Sequence, residues 1–213
     1  MTTIIALTGV ANSGKDLTAE MMTNKMRRRD PDVKLRSLSF ASPIKEAVSA
    51  ILGCRIEDFD DRNFKEGSLI DSHGLDTSPR KMMQLMGDQY ARQMIDKDIW
   101  IKIAQQRLET AKAQGVDYMF ITDLRYNNEQ DWVLDNGGVV VCIERNDAVP
   151  VAYHESEAGL TKPPCYVIYN NGSIEDLRME VAEMTTILQP LELRRNSIDD
   201  CTPAEWDLMR KYM

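Results

Sequence analysis

The residues whose types and spacing could do chemistry begin at 9–16, GVANSGKD, which fits G-x-x-x-x-G-K, a phosphate-binding loop, up to its last position. Gly9 and Gly14 let the backbone turn and approach phosphate oxygens with no Cβ in the way. The loop's N–H groups and the start of the following helix then form a positive concavity for a phosphate chain, with Lys15 reaching the β- and γ-phosphates. Gly9, Ala11, Asn12, Ser13, Gly14, Lys15, Asp16 and Leu17 are therefore the candidate contacts to a nucleotide. Asp16 stands where Ser or Thr usually ligates magnesium. Either Asp16 serves the metal, directly or through water, or another carboxylate does, or Asp16 only favours the helix start electrostatically.

Further charged groups fall just past apolar runs. Asp123 and Arg125 follow DYMFIT (117–122), at the expected carboxyl end of a strand, where open α/β sheets bind ligands. A carboxylate there could hold magnesium through water or bind a substrate hydroxyl, and Arg125 could grip a phosphate bidentately. An Asp–Arg pair or a helix cap would account for the same residues. Lys45 lies near the start of a helix, again past a strand. Arg80 and Gln84 are four apart and share a helix face, which suits a phosphate and a base edge, although a solvated face explains that spacing equally. Arg145 opens a long loop, and arginines from closing loops neutralise charge in phosphoryl transfer. His154 with Glu155 and Glu157 is too thin a cluster for a metal site.

The elements that must position these groups alternate. TIIALT (3–8) reads as a buried strand and 16–29 as a helix. VKLRSLSF (33–40) reads as a second strand. The next helix has Ser42 as N-cap, Pro43 in its first turn, Gly53 at its exit and Ile44, Ala47, Val48 and Ile51 on its buried side. Residues 54–77 lose periodicity and gain charge, an excursion from the sheet layer. A helix restarts at Thr77 or Ser78, with Met82, Met83, Leu85, Met86 and Tyr90 as a core-packing stripe. A helix at 97–114, strands at 117–122, 139–144 and 165–170, and a helix from Ser173 with Asp176 three residues on complete the pattern. Strands alternating with helices predict a parallel sheet covered on both faces. In the tail, 203–212 reads as a short helix, with Trp206, Met209 and Met213 able to dock it.

The totals narrow the classes of function. The 213 residues suit one domain, or one domain with insertions, and 43% hydrophobic content suits a sizeable core. A net charge of −8 disfavours a nucleic-acid polymer as the main ligand, while a small anion needs only a local basic pocket. Scattered Cys54, Cys142, Cys165 and Cys201 predict reduced thiols, no structural metal and a cytoplasmic setting. No apolar run has the length of a membrane span, and no secretion signal is expected.

Taken together, GVANSGKD, ASPIKEAV, RKMMQLMGDQ, DIWIKIA, ITDLRYNNE, HESEAGL and IYNNGSIEDL resemble the bacteriophage deoxynucleoside monophosphate kinases, in that family's order, over residues 4 to about 188. An aspartate after the loop lysine is itself part of the family's pattern. The resemblance implies an α/β P-loop kinase fold with three αβα layers and a five-stranded parallel sheet in the order 2-3-1-4-5. It implies a kinase domain over 1–188, with an acceptor-binding helical insertion at about 43–96 and a lid at about 145–164, and a separate tail at 189–213. It also implies ATP, magnesium, for which Asp16 and Asp123 are the candidate carboxylates, and a deoxynucleoside monophosphate as acceptor. Carried over by position, Lys15, Arg125 and Arg145 would be catalytic. Lys45, Arg80 and Arg125 would be candidates for the acceptor phosphate, Gln84 for its base, and Asp123 for the acceptor side. Homodimers occur in the family, so a homodimer is among the expectations; a membrane or a nucleic-acid polymer is not. The rival expectations are a kinase for another phosphorylated metabolite, resembling phosphomevalonate kinase, and a non-catalytic protein switched by ATP.

Overall fold

The computed structural model describes residues 2–148 and 160–194. In chain order the elements are β1 (Thr3–Thr8), α1 (Lys15–Arg29), β2 (Leu35–Leu38), α2 (Ser42–Leu52), α3 (Arg62–Glu66), α4 (Ile70–His73), α5 (Pro79–Gln84), a π-helical segment (Leu85–Ile95), α6 (Ile99–Ala113), β3 (Tyr118–Ile121), α7 (Asn127–Asp135), β4 (Val139–Glu144), β5 (Tyr166–Tyr169) and α8 (Ile174–Arg194). The described parts of Met1–Leu38 and Arg107–Met213 form one compact unit, and Ser39–Gln106 forms a second.

The first unit is built on a sheet of five parallel strands among the described residues, in the order β2-β3-β1-β4-β5. That is the expected order. β1 is central because it can bury both faces: Ile4, Ile5, Ala6 and Leu7 are all sealed from solvent. Strand side chains alternate between faces. Ile5 and Leu7 join Met22 and Met26 of α1 and Leu177, Val181 and Met184 of α8 in one cluster. Ile4 faces the other way, where Gly138 lets it lie close to Val133 of α7. Each fully buried Ile or Leu contributes about 1.5–3 kcal/mol. The β1-β3 and β1-β4 pairings set Ile5 opposite Phe120 and Val139, so three strands end together at their carboxyl edge. The segments that leave this edge carry Gly9–Lys15, Asp123–Arg125 and Arg145.

Helix ends follow local chemistry. α1 starts from Gly14 with Asp16 in its first turn and closes on Arg27, Arg28 and Arg29, charges that suit the helix dipole at each end. At α8 the expected capping box is present. Ser173 N–H donates to Asp176 Oδ2 at 2.7 Å, and Asp176 N–H donates to Ser173 Oγ at 3.2 Å. The Ser173 side-chain bond, with help from its N–H, holds the Asp176 carboxyl below the usual carboxylate range. α8 continues to Arg194, past the expected end at 188.

The second unit departs from expectation in three places. Ser42 is the first residue of α2 rather than its cap: Ala41 precedes the helix, and Ser42 Oγ donates to Ser39 O at 3.0 Å. Ile51 is 59% exposed, and Leu52 takes its place in the core, because Ile44, Val48 and Leu52 lie four apart on one face. The helix at 77–95 is not one α-helix. Ser78 caps α5 as expected, by accepting from Lys81 N–H, but from Leu85 the winding becomes π. Bonds from i to i+5 put more residues in each turn, so a stripe with α-helical spacing drifts around the axis. Leu85 is thus 37% and Tyr90 57% exposed, while Met82, Met83 and Met86 are half-buried. The 54–77 stretch, the expected excursion, contains short turns of helix. The expected tail helix at 203–212, with Trp206, Met209 and Met213, lies outside the described residues, as does Cys201.

Candidate active site

The loop after β1 is shaped by positive φ angles at Gly9 (136°), Asn12 (63°) and Gly14 (101°). Asparagine is among the few non-glycine residues that tolerate this region. A Cβ on Gly9 would sit 2.4 Å from Ile143 O and 2.9 Å from Ser13 Oγ, so only glycine fits. Lys15 bends back over the loop, and its Nζ donates to Gly9 O at 2.8 Å and Val10 O at 2.7 Å. Ser13 is fully buried, and its Oγ has no hydrogen-bond partner. A buried hydroxyl without a partner loses about 1–3 kcal/mol. This lone donor, the glycine-shaped cradle and the lysine together fit a bound phosphate chain.

Beside this loop lies a cavity of about 420 Å³, lined among others by Gly9, Val10, Arg125, Arg145 and Lys162. The topology thus brings three of the expected groups, from the ends of β1, β3 and β4, to one space. Cys142 also lines it. Burial, and then the Glu144 carboxylate, push its thiol up, against a smaller pull from Lys15, which favours the protonated thiol over the reactive thiolate. Lys162, which sequence reasoning did not single out, pairs with Asp131 at 2.5 Å, and that bond raises its pKa and keeps it cationic.

Arg125 is set in place by a residue that the sequence reading missed. Glu129 is 1% exposed, and its Oε2 accepts from Arg125 N–H at 3.0 Å and Tyr126 N–H at 3.1 Å. A buried carboxylate that takes two main-chain donors fixes the turn from β3 into α7. Next to it, Gln130 is fully buried and donates through Nε2 to Lys162 O at 3.2 Å, which ties α7 to the chain returning into β5. Glu129→Ala would strand both N–H groups. The expected loss is about 2–3 kcal/mol of stability by thermal or denaturant unfolding, with Glu129→Gln, which keeps an acceptor, losing less.

The candidate metal carboxylates are placed differently from each other. Asp16 is exposed in the first turn of α1 and lines a second depression of about 310 Å³ with Arg27, Arg36 and Thr122, the residue before Asp123. Asp123 is half-buried. Among the described residues no three His, Cys, Asp or Glu side chains form a metal cluster. Magnesium asks for less, since it uses one or two carboxylates beside phosphate oxygens and water. Asp16 next to the phosphate loop satisfies that donor chemistry.

Lys45, Arg80 and Gln84 belong to the second unit. There Lys45 pairs with Asp60 at 3.4 Å and Arg80 with Glu66 at 3.1 Å, while Glu66 also takes Arg62 at 3.2 Å. Gln84 closes α5, half-buried. Within the loop that Arg145 opens, residues 149–159, with His154, Glu155 and Glu157, lie outside the described residues.

A parallel sheet in this order, a lysine-bearing glycine loop after its central strand and arginines at the same edge define a P-loop kinase. The profile of the deoxynucleotide monophosphate kinase family matches residues 57–181, more than half of the chain, and the chain belongs to that family. It is 26% identical to the deoxynucleoside-5′-monophosphate kinase of Escherichia phage T5, over 90% of this chain and 99% of that one. It is 27% identical to the deoxynucleotide monophosphate kinase of Escherichia phage RB69, over 50% of this chain and 44% of that one. Among solved structures, an APS kinase of Mycobacterium tuberculosis is similar with a TM-score of 0.45 and 12% identity, over 87% of this chain and 97% of that one. The phosphate loop at 9–16 lies before the profile's first matched residue, so the loop and the family match are independent pointers to a kinase.

Proposed function

We propose that this protein transfers the γ-phosphoryl group of ATP to the 5′-phosphate of deoxynucleoside monophosphates, with magnesium, to give diphosphates. The observation that carries the reading is the convergence of Gly9, Arg125 and Arg145 on one cavity beside Lys15.

The chemistry asks mainly for control of charge. The acceptor oxygen belongs to a phosphate whose second pKa is near about 6, so it is largely ionised at neutral pH and needs no general base. The loop N–H groups and the Lys15 ammonium hold the donor phosphates. Arg125 and Arg145 balance the charge that builds up on the transferring group, and Arg125 is also a candidate contact to the acceptor phosphate. Lys45 and Arg80 bind the acceptor phosphate by exchanging Asp60 and Glu66 for it, and Gln84 meets the base. Asp16 and Asp123 are the carboxylates that would hold magnesium, directly or through water. When bound, the metal supplies neutralisation of the phosphate oxygens.

ADP release measured across dAMP, dGMP, dCMP, dTMP and phosphomevalonate tests the reading. Turnover stimulated by one or more deoxynucleotides supports it, and turnover with phosphomevalonate alone, or none with any acceptor, overturns it. Arg125→Ala is expected to lower kcat/KM for the acceptor by about 10- to 100-fold while the KM for ATP stays within about twofold, since the lost contact is a charge-assisted pair. A change confined to the ATP term would mean that the two phosphate sites are assigned the wrong way round.

A further inference from the structure

The turn after β5 touches the phosphate loop from a distance of 157 positions along the chain. Asn170 Nδ2 donates to Ser13 O at 2.8 Å. The turn itself is pinned to the end of β4: Asn170 N–H donates to Glu144 O at 2.8 Å, and Asn171 Oδ1 accepts from Asn146 N–H at 2.7 Å. The Asn170 carboxamide is therefore presented from a fixed support. Gly14 makes room for it, because a Cβ at Gly14 would lie 2.5 Å from Asn170 Nδ2.

We infer that Asn170 is a positioning residue for the donor phosphates: by holding the Ser13 carbonyl, it aims the Gly14 N–H into the phosphate-binding concavity. The reason is the planarity of the peptide. In a trans unit the C=O of one residue and the N–H of the next point in opposite directions. Fixing the Ser13 carbonyl on Asn170 therefore turns the Gly14 N–H to the opposite edge of that peptide, away from Asn170. Glycine reaches the φ of 101° seen at Gly14 as easily as several other conformations, so a side-chain anchor on the peptide before it selects one orientation of its N–H. Oriented donors that need no rearrangement are what anion binding rewards. The role also explains why the loop's second glycine is needed twice, once for its φ and once for the approach of the amide.

The inference rests on the proposed donor site, and the experiment separates the two. ADP affinity is measured by calorimetry, together with KM for ATP, KM for the acceptor and the chemical shift of the Gly14 amide with and without ADP. Variants are Asn170→Ala, which removes the donor, and Asn170→Asp, which keeps the shape and sets an acceptor against the Ser13 carbonyl. In Asn170→Ala, ADP affinity is expected to fall about tenfold and KM for ATP to rise by a similar factor, about 1.4 kcal/mol, with acceptor KM unchanged. Asn170→Asp is expected to lose more than Asn170→Ala, although it packs alike. The ADP-induced shift of the Gly14 amide should shrink in both. Wild-type protein that binds ADP beside variants that bind it equally well overturns the inference and spares the donor site. Wild-type protein that does not bind ADP overturns both.

Discussion

Replacing Lys15 with alanine is expected to leave a folded protein whose turnover is lower by about a thousandfold. The side chain is half-buried, and its ammonium bonds to two carbonyls of its own loop, Gly9 O and Val10 O. Those carbonyls border the cavity and can take water in its place, so the melting temperature should move little. Turnover is another matter. The ammonium is the loop's one full positive charge, and it lies at the start of α1, where the main-chain donors already point outward. In the transition state, charge spreads over the transferring oxygens, and a preorganised cation there acts on that charge more than on the ground state. The loss should therefore appear in kcat at saturating ATP, measured beside the unfolding curve. Turnover within a few-fold of wild type, with the fold intact, would remove Lys15 from the chemistry.

Gly9→Ala should do the opposite and damage the fold first. Its Cβ would lie 2.4 Å from a main-chain oxygen, Ile143 O, which belongs to the buried strand β4 and cannot swing aside. The φ of 136° adds backbone strain of its own. Overpacking and strain together are expected to lower stability by about 3 kcal/mol, or about 6–12 °C in melting temperature. ADP affinity should fall as well, because the same carbon crowds the Ser13 hydroxyl at 2.9 Å. A variant that melts like the wild type would mean that the loop after β1 can take another course.

Both expectations concern residues that the sequence alone marks. Gly9, Gly14 and Lys15 are legible because a phosphate loop is a local device: its φ angles, its lysine and the helix behind it lie within eight residues. The capping box of Ser173 and Asp176 and the cap at Ser78 are legible for the same reason. The helix through 85–95 was not. Its residues have α-helical spacing, but Gly87 lies against Ile44 of α2 and takes the Trp100 indole N–H on its carbonyl at 2.8 Å, contacts that a one-dimensional pattern does not contain. Glu129 illustrates a milder failure. In ITDLRYNNE the charged types at Asp123 and Arg125 stand out, yet the last residue of that stretch is the buried one that positions Arg125.

By itself, the sequence determined the class of chemistry and the alternation of elements, because glycine placement, charge type and hydrophobic period act over a few residues. The tertiary structure alone decided which distant side chains meet. Arg125 and Arg145 share a cavity with Gly9 because β3 and β4 flank β1, and Asn170 reaches Ser13 because β5 closes the sheet on that side. Strand pairing sets those meetings, and it brings together groups up to 157 positions apart whose types, taken singly, announce nothing.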